Sequence, residues 1–169
     1  MGIVYWTEEE FAKAVQVLLP RSKREAKSII KNLYPGVLKS TGDEVSELRK
    51  RIQNFFLGDP NPIPLSLVDT SICKPFQLSV LREEHAIPRG KTSSYGRIAN
   101  RLNSRAFRAV GSALARNPFP IVIPCHRAVR SDRTLGGYQG GLEMKRRILS
   151  MEGIEFDSRG RVLPEHFLG

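Results

Sequence analysis

Residues 105–128, RAFRAVGSALARNPFPIVIPCHRA, decide how the rest of the chain is read. Arg105 to Ala115 places small and apolar residues at helical spacing. It reads as a short helix with Ala106, Ala109, Val110, Ala113 and Leu114 on its packed side and Arg105, Arg108 and Arg116 outside. Ile121, Val122 and Ile123 then read as a fully buried strand that Pro124 ends, because proline cannot donate to a ladder. Cys125 and His126 fall where that strand meets a loop. Arg116 and Arg127 flank the thiol, and nearby positive charge with a candidate base is what lowers a thiol's pKa. Neighbours on a strand point to opposite faces, so a Cys125 to His126 contact needs a turn at Pro124 or an intervening water. A structural cysteine beside a loop histidine fits the same letters. Asn117 precedes a proline, and its amide can bond backbone on either side of the turn into the strand.

Upstream, Ser93 or Ser94 caps a short helix with Ile98, Ala99 and Leu102 inward, and Asn103 with Ser104 supplies a tight turn and a new cap. Two short helices joined so briefly form a helix-turn-helix candidate. On that reading the small residues near Gly111 let the second helix approach a groove closely while arginines meet phosphates or bases. A compact helical hairpin with a solvated basic face is the alternative. Pro75 opens an earlier helix with Phe76, Val80, Leu81 and Ile87 on its buried face. Downstream, a glycine-rich loop carrying Tyr138 and Gln139 leads to a helix from Leu142 to Glu152, with Met144, Ile148, Leu149 and Met151 inward. Glu152 ends that helix, where the dipole gives a carboxylate no benefit. A distant partner such as His126 would account for it, as would a solvated helix end.

The N-terminal part is less specific. Gly2 to Trp6 and Ala14 to Leu19 read as strands, Ser22 caps a helix with Ala26, Ile29, Ile30 and Leu33 on one stripe, and Glu44 to Phe56 reads as another helix. Asp59 to Ser71, with three prolines, is the candidate connection. The expected organisation is therefore two domains, an α/β one over 1–70 and a second over 71–169 that holds the helix-turn-helix candidate and the Cys125 region.

Composition narrows the classes. The 169 residues are 40% hydrophobic and 26% charged, as in soluble globular proteins. No stretch nears the roughly 18 apolar residues of a spanning helix, and acids stand where a secretory leader is basic, so a cytoplasmic protein without a membrane role is expected. The net charge is +10, and it is regional: residues 1–72 carry 10 basic and 9 acidic side chains, residues 74–133 carry 12 and 3. That field suits a polyanion. Two cysteines, Cys73 and Cys125, exclude a four-thiolate zinc site, and no cofactor or metal is implied. A disulfide between them is arithmetically allowed but disfavoured inside a cell.

The motifs FQLSV, IPRGKTSSYGRIA, RAVGSALARNPFPIVIPCHRAV and GGYQGGLEMKRRILSMEG, spanning about Cys73 to Gly153, resemble the O6-alkylguanine-DNA alkyltransferase family. The resemblance implies a small variable α/β N-terminal domain ahead of a mainly helical domain with a winged helix-turn-helix-like motif. It implies single-turnover repair of alkylated DNA, with Cys125 the acceptor, His126 the base acting through water, Glu152 orienting His126, Tyr95 assisting the leaving guanine and Asn117 bracing the cysteine loop. Contacts to double-stranded DNA carrying O6-alkylguanine would fall to Arg105, Ala106, Arg108, Ala109, Ser112, Ala113, Arg116, Arg127 and Tyr95, with Arg108 filling the space of a flipped base. Ala128, Tyr138 and Gln139 would line the base pocket, and the working unit would be a monomer. Leu81 and Gln139 depart from the family's usual tryptophan and serine. A non-enzymatic binder of alkylated bases and a helix-turn-helix regulator are the alternatives; the family's non-enzymatic relatives lack the acceptor cysteine.

Overall fold

A computed structural model of the chain describes residues 2–8, 11–19, 28, 32–33, 35 and 45–169. They divide into two compact units, Met1–Ile72 with Pro118–Val122, and Cys73–Asn117 with Ile123–Gly169. The first unit opens on an antiparallel hairpin of β1 (Gly2–Glu8) and β2 (Phe11–Leu18), with Gly2 opposite Leu18 and an irregularity between Val4 and Tyr5. Ala14, Val17 and Leu18 turn inward. The other edge of β2 is taken up locally: Ala14 bridges Val68, Asp69 N–H donates to Ala14 O at 2.8 Å, and Val17 N–H to Pro118 O at 2.8 Å. The proline-rich connection is thus bound along a strand edge, with Ile63 and Val68 buried. Helix α1 (Ser46–Phe56) buries Leu48, Ile52 and Phe55 of the stripe its spacing predicts, leaves Phe56 of that stripe exposed, and ends at Gly58 with φ +98°. The helix expected from Ser22 to Leu33 falls largely outside the described residues.

The strand expected at 121–123 does not form. Ile121 and Val122 make a tight turn between Pro120 and Ile123, and Ile121 has φ +78°. A branched side chain in the left-handed region costs roughly 1–2 kcal/mol. Burial of Phe119, Ile121, Val122 and Ile123 offsets it. Prolines at 118, 120 and 124 deny this segment ladder donors, so the apolar run signalled burial and not conformation.

The second unit is mainly helical. Helix α2 (Pro75–His85) starts on its proline and buries Val80, Leu81 and Glu84, while Phe76, expected inside, is exposed. Strand β3 (Ser93–Ser94) pairs in parallel with β4 (Ala128–Val129). Ser94 then caps α3 (Tyr95–Arg101), its Oγ accepting from Arg97 N–H at 3.0 Å. Asn103, at φ +50°, turns the chain toward α4 (Phe107–Ala115). Ser104 does not cap α4; its Oγ accepts from Ala106 N–H at 3.1 Å and tightens the turn. Helix α4 buries Val110, Ala113 and Leu114 against α2 and α3. Ala106 and Ala109, expected on the packed side, are exposed. Helix α5 (Leu142–Met151) buries Ile148 and Leu149, and Leu149 joins a core of Val129, Ile154 and Val162 with Leu135, Phe156 and Phe167 at its edge. Among the described residues no helix is long and apolar enough to cross a membrane.

Candidate active site

Pro124 leads into a single 3-10 turn, Cys125–Arg127, instead of an extended exit. This supplies the bend that a cysteine and histidine adjacent in sequence need before they can serve one site. Helices α2 and α5 both pack on the turn. His126 is fully buried and Cys125 is 5% exposed.

His126 Nε2 lies 3.0 Å from Glu152 Oε1. Arg127 donates from Nε to Glu152 Oε2 at 2.9 Å and from Nη2 to Oε1 at 2.8 Å, while its Nη1 holds the Ile87 carbonyl. Glu152 at the end of α5 is therefore no solvated helix terminus. Burial alone would push its carboxyl up, but the bonds from His126 and Arg127 overcome that and hold it at about 2, so it is charged at any physiological pH. Arg127, expected among the DNA-facing cations, is turned inward and fully engaged. His126 is held below its ordinary pKa, burial outweighing Glu152's attraction, and so rests as a neutral imidazole.

The thiol does not follow the expectation of a lowered pKa. Burial pushes Cys125 up to about 12 despite the Asn117 amide, which favours the anion. Of the flanking cations, Arg127 is committed to Glu152 and Arg116 is exposed with its guanidinium on Ser112. The resting sulfur is a buried thiol followed in the chain by a neutral base.

Asn117 is buried and donates from Nδ2 to Ile123 O at 2.9 Å, tying the end of α4 to the approach to Cys125. Gln139 supports the same hinge, its Nε2 donating to Ala115 O at 3.0 Å and Asn117 O at 2.8 Å. Its long side chain is thus directed at backbone carbonyls. Tyr138 is edge-on to His126, centroids 6.3 Å apart, and its buried hydroxyl has no hydrogen-bond partner. Ala128 is buried in β4. Tyr95, first residue of α3, lies under Gly136: a Cβ there would sit 2.9 Å from the Tyr95 hydroxyl. Burial, then Glu84 and Cys125, push Tyr95 up to about 12, keeping it a proton donor.

Two charged residues of this site were missed by sequence reasoning. Lys145 is fully buried, its Nζ donating to the carbonyls of Ala128, Leu135 and Gly137. Glu84 is fully buried on α2. The signal was present: Lys145 with Ile148, Leu149 and Glu152, and Glu84 with Val80 and Leu81, lie on single stripes of their helices. A titratable residue in an apolar stripe marks a group that is buried with the stripe.

Outside this cluster, α4 exposes Arg105 and Ala106 at its start, then Phe107, Arg108 and Ala109, with Ser112 half-buried and Arg116 exposed at its end. Ala113 is buried and belongs to the helix's inner face.

Comparison with known proteins agrees with this arrangement. Residues 75–154 match the family model of the 6-O-methylguanine DNA methyltransferase DNA binding domain. The chain is 41% identical over 132 residues, 75% of its length and 74% of the other's, to a methylated-DNA--protein-cysteine methyltransferase of Methanothermobacter thermautotrophicus. It resembles the crystal structure of the O6-methylguanine-DNA methyltransferase of Pyrococcus kodakaraensis with a TM-score of 0.62 and 26% identity, covering 90% of this chain and 98% of that one. A Mycobacterium tuberculosis OGT crystallised with DNA is 33% identical across 63% of this chain and 66% of its own, with a TM-score of 0.57. The chain belongs to the O6-alkylguanine-DNA alkyltransferase family, suicide enzymes that repair DNA directly by moving the alkyl group of a flipped-out base onto a cysteine of their own.

Proposed function

We propose that Cys125 is the acceptor and that the protein, a cytoplasmic monomer, removes the O6-alkyl group of guanine in double-stranded DNA. The observation that carries this is a buried thiol next to a neutral histidine whose other side is held by an ionised carboxylate. As the substrate carbon arrives, the thiol proton passes to His126, directly or through a water. Nε2 already faces Glu152, so Nδ1 is the nitrogen that takes it, and the imidazolium formed is paired with Glu152. Sulfur attacks the alkyl carbon, the carbon–O6 bond breaks, and its electron pair goes to the guanine ring. A hydrogen bond from Tyr95 to N3 spreads that charge, and the proton His126 took from the thiol is relayed through water to the guanine, leaving base and imidazole neutral. The product is S-alkyl Cys125. No group in the site can hydrolyse a thioether, so each molecule acts once.

A sulfur so deeply placed is beyond the reach of a stacked base, so the lesion has to leave the duplex. Arg108 on the exposed face of α4 fills the gap, Arg105 and Arg116 contact phosphates, and Ala106, Ala109 and Ser112 allow close approach to a groove. Main-chain groups at Ala128 and Gln139, with the Tyr138 hydroxyl, meet the extrahelical base. The test is intact mass after mixing with a duplex containing O6-methylguanine. A gain of about one methylene mapping to Cys125, absent from Cys125→Ser, is expected. Unchanged mass in folded, reduced protein overturns the assignment.

A further inference from the structure

The chemistry above leaves Glu84 without a task. Its side chain is fully buried, and neither carboxyl oxygen has a hydrogen bond of normal geometry. A leucine would fill the same stripe of α2 without that cost, so the carboxyl calls for a reason. The groups that act on it come from α5, from the 3-10 turn and β4, and from α3. Lys145 from α5 attracts it most strongly, then Arg127 from the 3-10 turn, and the Ala128 N–H lies toward it without closing a good bond. Cys125 and, from α3, Tyr95 both feel its charge.

The geometry points to Glu84 as a positioning residue for alkyl transfer: fully buried and unpartnered on a helix that packs on the Cys125–Arg127 turn, as does the helix of the equally buried Lys145, it governs how much of the Lys145 charge the sulfur experiences, and so how readily the thiol gives up its proton. This rests on the reading of Cys125 as acceptor. Lys145 has three N–H bonds and places one on each of three carbonyls, so all three protons are used and the group is an ammonium. With Glu84 protonated, that ammonium acts on the sulfur uncompensated and favours the thiolate. With Glu84 ionised, the two charges cancel locally and the thiolate is opposed. Burial pushes Glu84 up to about 8, so the protonated form prevails at neutral pH. Burial also brings Lys145 down to about 8, with Glu84 opposing, so losing Glu84 eases loss of the ammonium too. Glu84 outranks Lys145 in its effect on the sulfur, so the balance of removing Glu84 still favours the thiolate.

The experiment is single-turnover methyl transfer from an O6-methylguanine duplex between pH 6 and 9, comparing wild type with Glu84→Gln and Glu84→Leu, alongside titration of Cys125 by its Cβ chemical shift carried up to pH 12. Wild type and Glu84→Gln should coincide below pH 7. By pH 9 the variants should be roughly tenfold faster, equivalent to one pKa unit at the thiol, and the Cys125 midpoint should fall to match. Coincident profiles and an unmoved midpoint in folded variants would make Glu84 a structural filler and overturn the inference. Should neither variant fold, wild type decides: a Cys125 shift that registers ionisation of the Glu84 carboxyl supports the coupling, and one blind to it refutes it. Absence of transfer to Cys125 in wild type would instead count against the proposed function.

Discussion

Replacing Glu152 by glutamine keeps the shape of α5's end and removes one charge, and two independent routes give its cost. Glu152 accepts from His126 and twice from Arg127, with its own side chain fully shielded. Removing one partner of such a buried pair leaves the guanidinium uncompensated, which costs roughly 3–5 kcal/mol. Linkage gives a similar figure. The Glu152 carboxyl is held at about 2 against an ordinary 4.5, and at 1.36 kcal/mol per unit this is about 3 kcal/mol. The sign follows from a depressed pKa: the stabilisation is complete above the unfolded value and is lost as pH falls from about 5 toward 2. For a chain of this size that corresponds to a melting temperature lower by roughly 6–12 °C near neutrality. Calorimetric melts of wild type and Glu152→Gln from pH 7 to pH 3 should show a gap that narrows as acid is added, because only wild type has the carboxylate to lose. Methyl transfer should fall with it, since His126 loses the partner of its protonated form. A gap that stays constant with pH, or a variant within about 0.5 kcal/mol of wild type at pH 7, would refute the assignment of this carboxylate as the charge that holds the cluster.

Other perturbations separate neighbouring residues. Gly136→Ala brings a Cβ to 2.9 Å of the Tyr95 hydroxyl at φ +64° and should slow transfer on the order of tenfold. Gly137→Ala, with no atom within 4 Å, should leave single-turnover rates unchanged. Arg108→Ala, on an exposed helix face, should weaken DNA binding and alter its salt slope with stability within about 0.5 kcal/mol of wild type. Arg127→Ala should do the reverse, destabilising by roughly 3–5 kcal/mol in denaturant melts. Lys145→Met orphans the carbonyls of Ala128, Leu135 and Gly137, and amide exchange across 128–137 should quicken while α1 is unaffected.

Helices were legible wherever an apolar stripe coincided with a start or stop residue. Pro75 opened α2, Ser94 capped α3 and Gly58 closed α1, each by a local mechanism that needs no tertiary partner. The run at 121–123 misled for a physical reason: an apolar stretch reports that side chains leave water, and a turn can bury them as well as a strand. The same limit put Ala106 and Ala109 on the wrong face of α4, since alanine is small enough to sit on either side.

The amino-acid order by itself determined the acceptor candidate, its histidine, the two short helices and the regional positive charge, because each depends on residue type and near-neighbour spacing. Only the tertiary structure decided which charges are buried together. Glu84, Lys145, Arg127 and Glu152 come from two helices and a turn, and burial raised the thiol that its sequence neighbours alone would have lowered. Desolvation depends on everything packed around a group, and that is a property of the folded molecule.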